Sequence, residues 1–462
     1  MSDLQPYQAI RKLLADSDNV ANVFVVACGP SLVTFRLQES GDSPSVSVIS
    51  RWRPEGNDDT VVQDIGEPQQ KKRKIDSSKS THPDVIHLVT APDHQHVVAV
   101  TGTDKCIRVF SARDGILTEL SQRCMPKRPC AVQITRDGST IVCADKFGDV
   151  YSLPLHPQTG ETVPTTENKG DGKQKTYQPA ADVTTVHSKR NLKVLHEQML
   201  AKGKPSTSTK EPLAFEHKLL LGHVSMLTDL QLATVEIQGK LRDFIITCDR
   251  DEHIRVSRGI PHAHIIENFC LGHTEFIHRV RLIPKTTLLV SAGGDHWLGV
   301  WDWATGRPLG RKDLRRIRQA SNSEKQSKDA PLAVRDVWLV NADEGSQLVI
   351  ISCEGVDAIM CLEASRLLES EHGGTVIDCS TSGQIFDMVD VGLGRLLVST
   401  QHHGLRTWTV RKATEGMVID LHDQDNEALE VLNLARPPIA KVALDELMGG
   451  VEKLRKRDNE EE

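Results

Sequence analysis

The 462-residue sequence lacks long apolar runs. No stretch reaches the roughly 18 consecutive apolar residues that a membrane-spanning helix needs, so no membrane association is expected. The polar N-terminal stretch, Met1 to Asp18, also lacks the apolar segment of a secretory signal peptide. These two absences predict a protein of the cell interior.

Paired cysteines are absent too. The ten cysteines are scattered through the chain, and none forms a C-x-x-C pair. Such pairs supply the thiolates of structural zinc sites and of redox motifs. We therefore expect reduced, mostly buried thiols and no bound metal.

The chain has no excess of positive charge. Its formal net charge is −7 at pH 7. A protein with this balance does not attract nucleic acid through its overall electrostatic field. Any contact with RNA must then come from a local basic patch.

Sequence motifs of catalysis are missing. The chain contains no G-x-x-x-x-G-K-[ST] loop, no G-x-S-x-G turn and no H-E-x-x-H helix. His273 and His278, in the sequence HTEFIH, could suggest a metal site, but a structural role for His273 is the better interpretation. We predict no catalytic residues, no cofactor and no metal.

What the sequence does contain is a repeat of strand-like segments. Two strong copies run from Leu220 to Ser257 and from Leu271 to Asp302, and each opens with Gly-His. Apolar residues then alternate with polar ones and are interrupted by Gly/Asp turns, a pattern typical of half-buried antiparallel strands. Gly272-His273 followed by Trp301-Asp302 matches the WD-repeat signature.

The second copy predicts a buried chain of four hydrogen-bonded side chains. Trp301 follows Asp295 by six positions and Ser291 by ten, and His273 opens the copy. The carboxylate can accept from the imidazole, the imidazole can meet the hydroxyl, and the hydroxyl can accept from the indole, which satisfies every buried polar group.

The same offsets in the first copy select a second set: His223, Thr247, Asp251 and Ser257. Serine replaces tryptophan at the last position, so this network is expected to be shorter or hydrated. Two weaker copies place Asp104 and Asp145 six positions before an aromatic residue. We interpret all four aspartates as equivalent structural turn residues.

Three further hairpin patterns, at 23–35, 348–362 and 396–410, bring the number of copies to seven. The prediction is an all-β, seven-bladed WD-repeat β-propeller over residues 1–410, followed by a helical and charged tail over 411–462. Radial repetition explains how so long an all-β chain protects its strand edges. Three polar segments, 41–83, 157–212 and 303–331, are predicted to be surface loops.

Two basic runs lie in these insertions. Lys71, Lys72, Arg73 and Lys74 could form a nuclear import signal, a nucleic-acid patch or merely a solvated surface. The second run could contact tRNA phosphates or be a solvated loop, and its candidates are Arg311, Lys312, Arg315 and Arg316.

Four motifs exceed what the fold requires. They are ADKFGDVY (144–151), GHVSMLTDL (222–230), DRDEHIRVS (249–257) and FCLGHTEFIHRV (269–280). Together they resemble the motif set of the non-catalytic WD-repeat subunit of the tRNA (guanine-N7)-methyltransferase. The resemblance is close over residues 140–302 and weaker elsewhere.

The resemblance implies a nuclear heterodimer. The partner would carry the S-adenosylmethionine site, methylate N7 of a guanine in the tRNA variable loop, and make most of the contacts with tRNA. This chain would hold the partner in an active, stable form and need no cofactor of its own.

A turn between strands is the predicted contact with that partner. Arg250 stands where the next copy has Gly294, so the fold does not demand an arginine there. A guanidinium on a rigid turn can bind a partner carboxylate with two hydrogen bonds. Asp249 and His253 flank it, and Lys146 occupies the corresponding turn one blade earlier. The alternative is a surface arginine without a role.

A second function class stays open. A general WD-repeat scaffold, such as a substrate receptor or chromatin adaptor, would bind peptides on the top face of the propeller and make no use of the Arg250 turn. Propellers support many functions, so the fold alone does not decide between these readings.

Overall fold

A computed structural model describes residues 3–15, 21–40, 43–54, 82–157, 215–237, 239–320, 331–342, 346–369, 373–413, 416–420 and 427–456. The chain divides into two units, one of residues 1–156 with 217–462 and one of residues 157–216. The basic run from Lys71 to Lys74 lies outside the described residues, so its use as a nuclear import signal stays a prediction. Almost all of the 157–212 insertion also lies outside them.

The larger unit is a seven-bladed β-propeller, as predicted. Each blade is an antiparallel sheet of four strands that are consecutive in the chain. Blade 1 contains β1 (Tyr7–Ala15), β2 (Ala21–Cys28), β3 (Ser31–Ser40) and β4 (Ser43–Trp52). Blade 2 contains β5 (Val85–Thr90), β6 (His96–Thr101), β7 (Cys106–Ser111) and β8 (Thr118–Cys124). Blade 3 contains β9 (Pro129–Ile134), β10 (Thr140–Asp145), β11 (Asp149–Pro154) and β12 (Lys218–Gly222).

The second half of the ring repeats this arrangement. Blade 4 contains β13 (Leu227–Ile237), β14 (Lys240–Asp249), β15 (Ile254–Arg258) and β16 (Ile266–Cys270). Blade 5 contains β17 (Ile277–Leu282), β18 (Leu288–Gly293), β19 (Trp297–Asp302) and β20 (Arg307–Asp313). Blade 6 contains β21 (Val334–Asn341), β22 (Gln347–Cys353), β23 (Ala358–Glu363) and β24 (Thr375–Asp378). Blade 7 contains β25 (Ile385–Gly392), β26 (Arg395–Thr400), β27 (Gly404–Ala413) and β28 (Gly416–Asp420).

The apolar core lies between neighbouring blades. The second strand of a blade is covered on both faces, so β22 is buried along almost its whole length. Val290 and Val300 of blade 5 pack in one cluster with Val337 and Ile351 of blade 6. Strands buried on both faces need continuous rather than alternating apolar residues, which is why these segments give the clearest sequence signal.

Outer strands explain two differences from the predicted loops. The segment 41–83 contains β4, and the segment 303–331 contains β20 and a short helix, α1 (Arg315–Ala320). The side chains of β20 are mostly exposed, so its sequence is polar although its backbone is paired with β19. The domain boundary predicted at residue 410 falls inside β27, and blade 7 extends to Asp420.

The ring closes without exchange of a strand in the described part of the chain, because blade 1 and blade 7 each use four consecutive strands. Side chains therefore join them. Asp387 on β25 accepts hydrogen bonds from the Ile10 backbone N–H (2.8 Å) and from Arg11 (2.6 Å). The Ser399 hydroxyl donates to the Tyr7 carbonyl (2.7 Å).

The predicted helical tail is present and covers this seam. It contains α2 (Glu427–Leu434) and α3 (Lys441–Met448). Leu429 and Leu432 of α2 pack in one cluster with Tyr7, whose hydroxyl donates to the Leu432 carbonyl (2.8 Å). The Gln5 N–H donates to the Pro437 carbonyl (2.8 Å), so the tail also holds the start of the described chain.

The cysteines agree with the prediction at eight positions and differ at two. Eight are free and buried, but Cys106 and Cys124, directly opposite each other on β7 and β8, form a disulfide. The expectation of reduced thiols is wrong at this pair, because pairing across two strands cannot be seen in sequence spacing. No helix of the described residues is long and apolar enough to cross a membrane.

Candidate functional site

The structure brings together the four side chains predicted around Trp301. His273 Nδ1 donates to Asp295 (2.7 Å), and the Ser291 hydroxyl meets His273 Nε2 (2.6 Å). The Trp301 indole N–H donates to the Ser291 oxygen (2.7 Å). Burial opposes ionisation of Asp295, but hydrogen bonds from His273 and Thr274 outweigh it and hold the pKa of this carboxyl below its usual range. The network ties the connection between blades 4 and 5 to β18 and β19.

The set predicted around Ser257 is only partly formed. The Thr247 hydroxyl meets His223 Nε2 (2.9 Å), but His223 Nδ1 points to the Gly148 carbonyl (3.3 Å). Burial lowers the pKa of His223 to about 4. The assignment of Asp251 to this network is wrong, since its carboxylate pairs instead with Lys456 (3.2 Å). A backbone carbonyl of blade 3 takes the place of the carboxylate.

The two networks predict different costs of losing the central hydroxyl. Ser291→Ala leaves the buried His273 and Trp301 nitrogens without a partner and is expected to lower the free energy of unfolding by about 2–4 kcal/mol. Thr247→Val removes one hydrogen bond to the half-buried His223 and is expected to cost about 1 kcal/mol or less. Urea unfolding of both variants checks this difference, and equal losses would contradict it.

The candidate partner-binding residues lie on equivalent hairpins. The backbone N–H groups of Lys146, Arg250 and Gly294 each donate to a carbonyl just before the first strand of their own blade. The acceptors are Arg128, Met226 and Phe276. The prediction that Lys146, Arg250 and Gly294 share one position is therefore confirmed by the backbone.

The aspartate that shapes these hairpins is not the one predicted. Asp249 Oδ1 accepts from the N–H groups of Asp251 (2.9 Å) and His253 (3.0 Å). Asp145 Oδ1 accepts from the residues two and four positions later in the same way. Asp145 is thus equivalent to Asp249, and grouping it with Asp251 and Asp295 is wrong by two residues.

Burial separates the predicted contact residues into two roles. Asp249 is only 5% exposed, and burial raises the pKa of its carboxyl above the usual range. It fixes the hairpin and cannot itself reach a partner, so its assignment as a contact residue is corrected. Lys146 and His253 are exposed at the surface, while Arg250 is half-buried.

Arg250 is held from one side. Its Nε donates to the Leu454 carbonyl (2.7 Å), while its two terminal nitrogens make no hydrogen bond within the described residues, although the charge of the guanidinium acts on the neighbouring Asp251 carboxylate. An arginine fixed through Nε keeps the end of its guanidinium available for a carboxylate.

Two apolar residues complete this surface and were not singled out from the sequence. Phe147 is 65% exposed, with the Lys127 ammonium 4.4 Å from its ring centre, and Val224 is fully exposed. Gly148 has a φ of +102°, and a Cβ there would lie 2.3 Å from the His223 carbonyl oxygen. The glycine thus lets the Phe147 hairpin approach the segment that carries Val224. In the sequence, the phenylalanine beside a glycine in a polar turn could have indicated this exposed apolar residue.

The basic run after residue 310 is not a continuous phosphate-binding surface. Lys312 is buried and donates to the Arg366 and Glu369 carbonyls, which excludes it as an RNA contact. Arg311 lies over the Trp297 ring (4.0 Å) and donates to the Gly272 carbonyl. Arg316 donates to two backbone carbonyls at Gly373 and Gly374, and Arg315 is exposed but paired with Asp313 (2.7 Å).

The two histidines considered as metal ligands have other partners. His273 belongs to the network above, and His278 Nδ1 donates to the Val334 carbonyl (3.0 Å). Within the described residues, no group of three or more His, Cys, Asp or Glu side chains has the arrangement of a metal site.

These features define a WD-repeat β-propeller that presents charged and apolar side chains on rigid hairpins. The chain belongs to the family of the tRNA methyltransferase TRM82 WD40 domain, whose family model matches residues 24–418.

Three named relatives support the assignment to this family. A protein of Sclerotinia sclerotiorum is 46% identical over 367 residues, covering 75% of this chain and 69% of its own length. One of Phaeosphaeria nodorum is 40% identical over 368 residues, covering 77% and 74%. One of Aspergillus fumigatus is 37% identical over 418 residues, covering 83% and 78%. All three are named non-catalytic subunits of tRNA (guanine-N(7)-)-methyltransferase.

Proposed function

We propose that this chain is the non-catalytic subunit of a tRNA (guanine-N7)-methyltransferase. In this role it binds the S-adenosylmethionine-dependent catalytic subunit and keeps it in an active form, while the methyl transfer takes place on the partner. The names of the relatives support the assignment. The observation on which the partner site depends is the anchored but incompletely paired guanidinium of Arg250.

The hairpins of blades 3 and 4 form the proposed contact surface. Arg250 and Lys146 supply positive charge, and Phe147 and Val224 supply exposed apolar area. Interfaces commonly combine a few aromatic and arginine side chains that contribute most of the binding energy. The partner surface should therefore carry a carboxylate for Arg250 beside an apolar pocket for Phe147.

Contact with tRNA is proposed to run mainly through the catalytic subunit. Of the four basic residues considered for RNA, Lys312 is buried, and Arg311, Arg315 and Arg316 bind acceptors within this chain. Phosphate contacts by this subunit would have to displace those acceptors.

Co-expression tests the proposed function. The chain is produced with the catalytic tRNA (guanine-N7) methyltransferase subunit of the same organism, and 7-methylguanosine formation in tRNA is measured for each subunit alone and for the pair. Methylation is expected from the pair and not from this chain alone. A catalytic subunit that neither binds this chain nor gains activity or stability from it would overturn the proposal and favour a general scaffold.

A further inference from the structure

The segment from Gly449 to Lys456, called the C-terminal strap here, crosses the hairpins of blades 6, 5 and 4. It begins at Glu354, whose backbone N–H donates to Ala333 and which therefore occupies the same position in blade 6 as Arg250 in blade 4. The Glu354 carboxylate accepts from three successive N–H groups of the strap. The donors are Gly450 (2.8 Å), Val451 (2.6 Å) and Glu452 (3.0 Å).

The middle of the strap is fixed on blade 5. Arg455 donates to the Gly294 carbonyl (3.2 Å) and to the Leu332 carbonyl (2.9 Å). It also pairs with Glu275 (2.9 Å) and lies 5.5 Å from the centre of the Phe276 ring. These contacts place the strap directly beside the blade 4 hairpin.

The end of the strap engages Arg250 and the two acidic side chains that follow it on the turn. Leu454 accepts the Nε hydrogen bond of Arg250. Lys456 pairs with Asp251 (3.2 Å) and Glu252 (2.9 Å). The two carboxylates that follow Arg250 in sequence thus share a single strap lysine.

We infer that the C-terminal strap is part of the partner-binding surface and acts as a positioning element for Arg250. It holds the guanidinium through Nε, and it pairs with the neighbouring carboxylates. Without the strap, those carboxylates would bind the Arg250 guanidinium themselves or repel the incoming carboxylate of the partner. Fixing a side chain in its bound orientation strengthens association because less conformational entropy is lost on binding.

The inference rests on the proposed function and specifies its partner further. The strap binds Arg250 through Nε alone, and the terminal nitrogens make no hydrogen bond within the described residues, so the group that it prepares for is a single carboxylate on the catalytic subunit. If the partner instead displaced the strap from the Arg250 hairpin, a variant with a released strap would bind the catalytic subunit more tightly than the wild type.

Release of the strap at a distance tests this role. Glu354→Ala removes the acceptor of three strap N–H groups without altering blade 4. We expect its dissociation constant for the purified catalytic subunit to rise about tenfold, with faster hydrogen exchange in residues 449–456. Glu236→Ala is the matched control: it makes the same substitution at an exposed residue of β13 that lies outside the strap and the proposed contact hairpins, and it should bind like the wild type.

A double-mutant cycle separates positioning from general loosening. If the strap acts through Arg250, Glu354→Ala should cause no further loss of affinity in an Arg250→Ala background. Independent, additive losses would overturn the inference, as would equal or tighter binding by Glu354→Ala alone. If the wild-type chain itself fails to bind the catalytic subunit, the proposed function fails and the inference with it.

Discussion

Arg250→Glu is expected to weaken binding of the catalytic subunit at least about 100-fold and to abolish the tRNA methylation that depends on this chain. The new carboxylate would face the carboxylate that we propose on the partner. It would also join Asp251 and Glu252 on the same hairpin. Three carboxylates would then share the single ammonium group of Lys456. Isothermal titration calorimetry with the catalytic subunit, followed by a guanine-N7 methylation assay, measures both effects.

The control for charge reversal is Arg307→Glu. Arg307 is exposed on the outer strand of blade 5 and has no side-chain partner among the described residues, so the change in net charge is the same. This variant should bind within about twofold of the wild type, because charges away from an interface act weakly through water and salt. Equal losses in the two variants would mean that overall charge, and not the Arg250 hairpin, determines association.

Asp387→Ala is expected to lower the free energy of unfolding by about 3 kcal/mol or more. The carboxylate accepts from four donors, and the two from blade 1 cross the closure of the ring. They are the N–H groups of Ile10 (2.8 Å) and Met388 (2.9 Å), the Arg11 guanidinium (2.6 Å) and the Trp338 indole (2.9 Å). Alanine would leave buried donors unpaired, and the cost of such groups exceeds that of a lost surface contact. Urea unfolding followed by tryptophan fluorescence measures the loss.

Asp390→Ala serves as the matched change on the same strand. Asp390 accepts from Asn341 (2.8 Å) at an exposed site and from one backbone N–H, and its loss is expected to cost about 1 kcal/mol or less. A result in which Asp387→Ala is no more harmful than Asp390→Ala would show that the closure depends on the apolar packing of the tail and not on this carboxylate.

Local sequence patterns predicted the elements whose formation depends on residues close together in the chain. Strands buried on both faces, such as β22, carry continuous apolar runs. These runs made the propeller and its seven blades recognisable in the sequence. Outer strands such as β20 pair through their backbone while their side chains face water, so composition made them resemble loops. The Trp301 network was predicted because all four residue types are present at the required spacing.

The misassigned residues depend on contacts that spacing does not encode. His223 turns to a carbonyl of the preceding blade, so Asp251 is released to pair with Lys456. Counting from an aromatic residue placed Asp145 with Asp251, whereas hydrogen bonding to the second and fourth following residues places it with Asp249. The hydrogen bond between Arg250 and Leu454 joins residues 204 positions apart, and a pattern of local periods cannot reveal it.

The tail that covers the seam between blades 7 and 1 is continuous with the strap on blades 6, 5 and 4. Helix α2 packs on Tyr7 of blade 1, and the strap that follows it reaches Arg250. Residues that come after all seven blades in the chain therefore contribute both to circular closure and to the proposed docking face. A nascent or truncated polypeptide lacking them would be deficient in both respects at once. Under the proposed function, the chain could therefore bind its partner fully only after these last residues have packed onto the propeller.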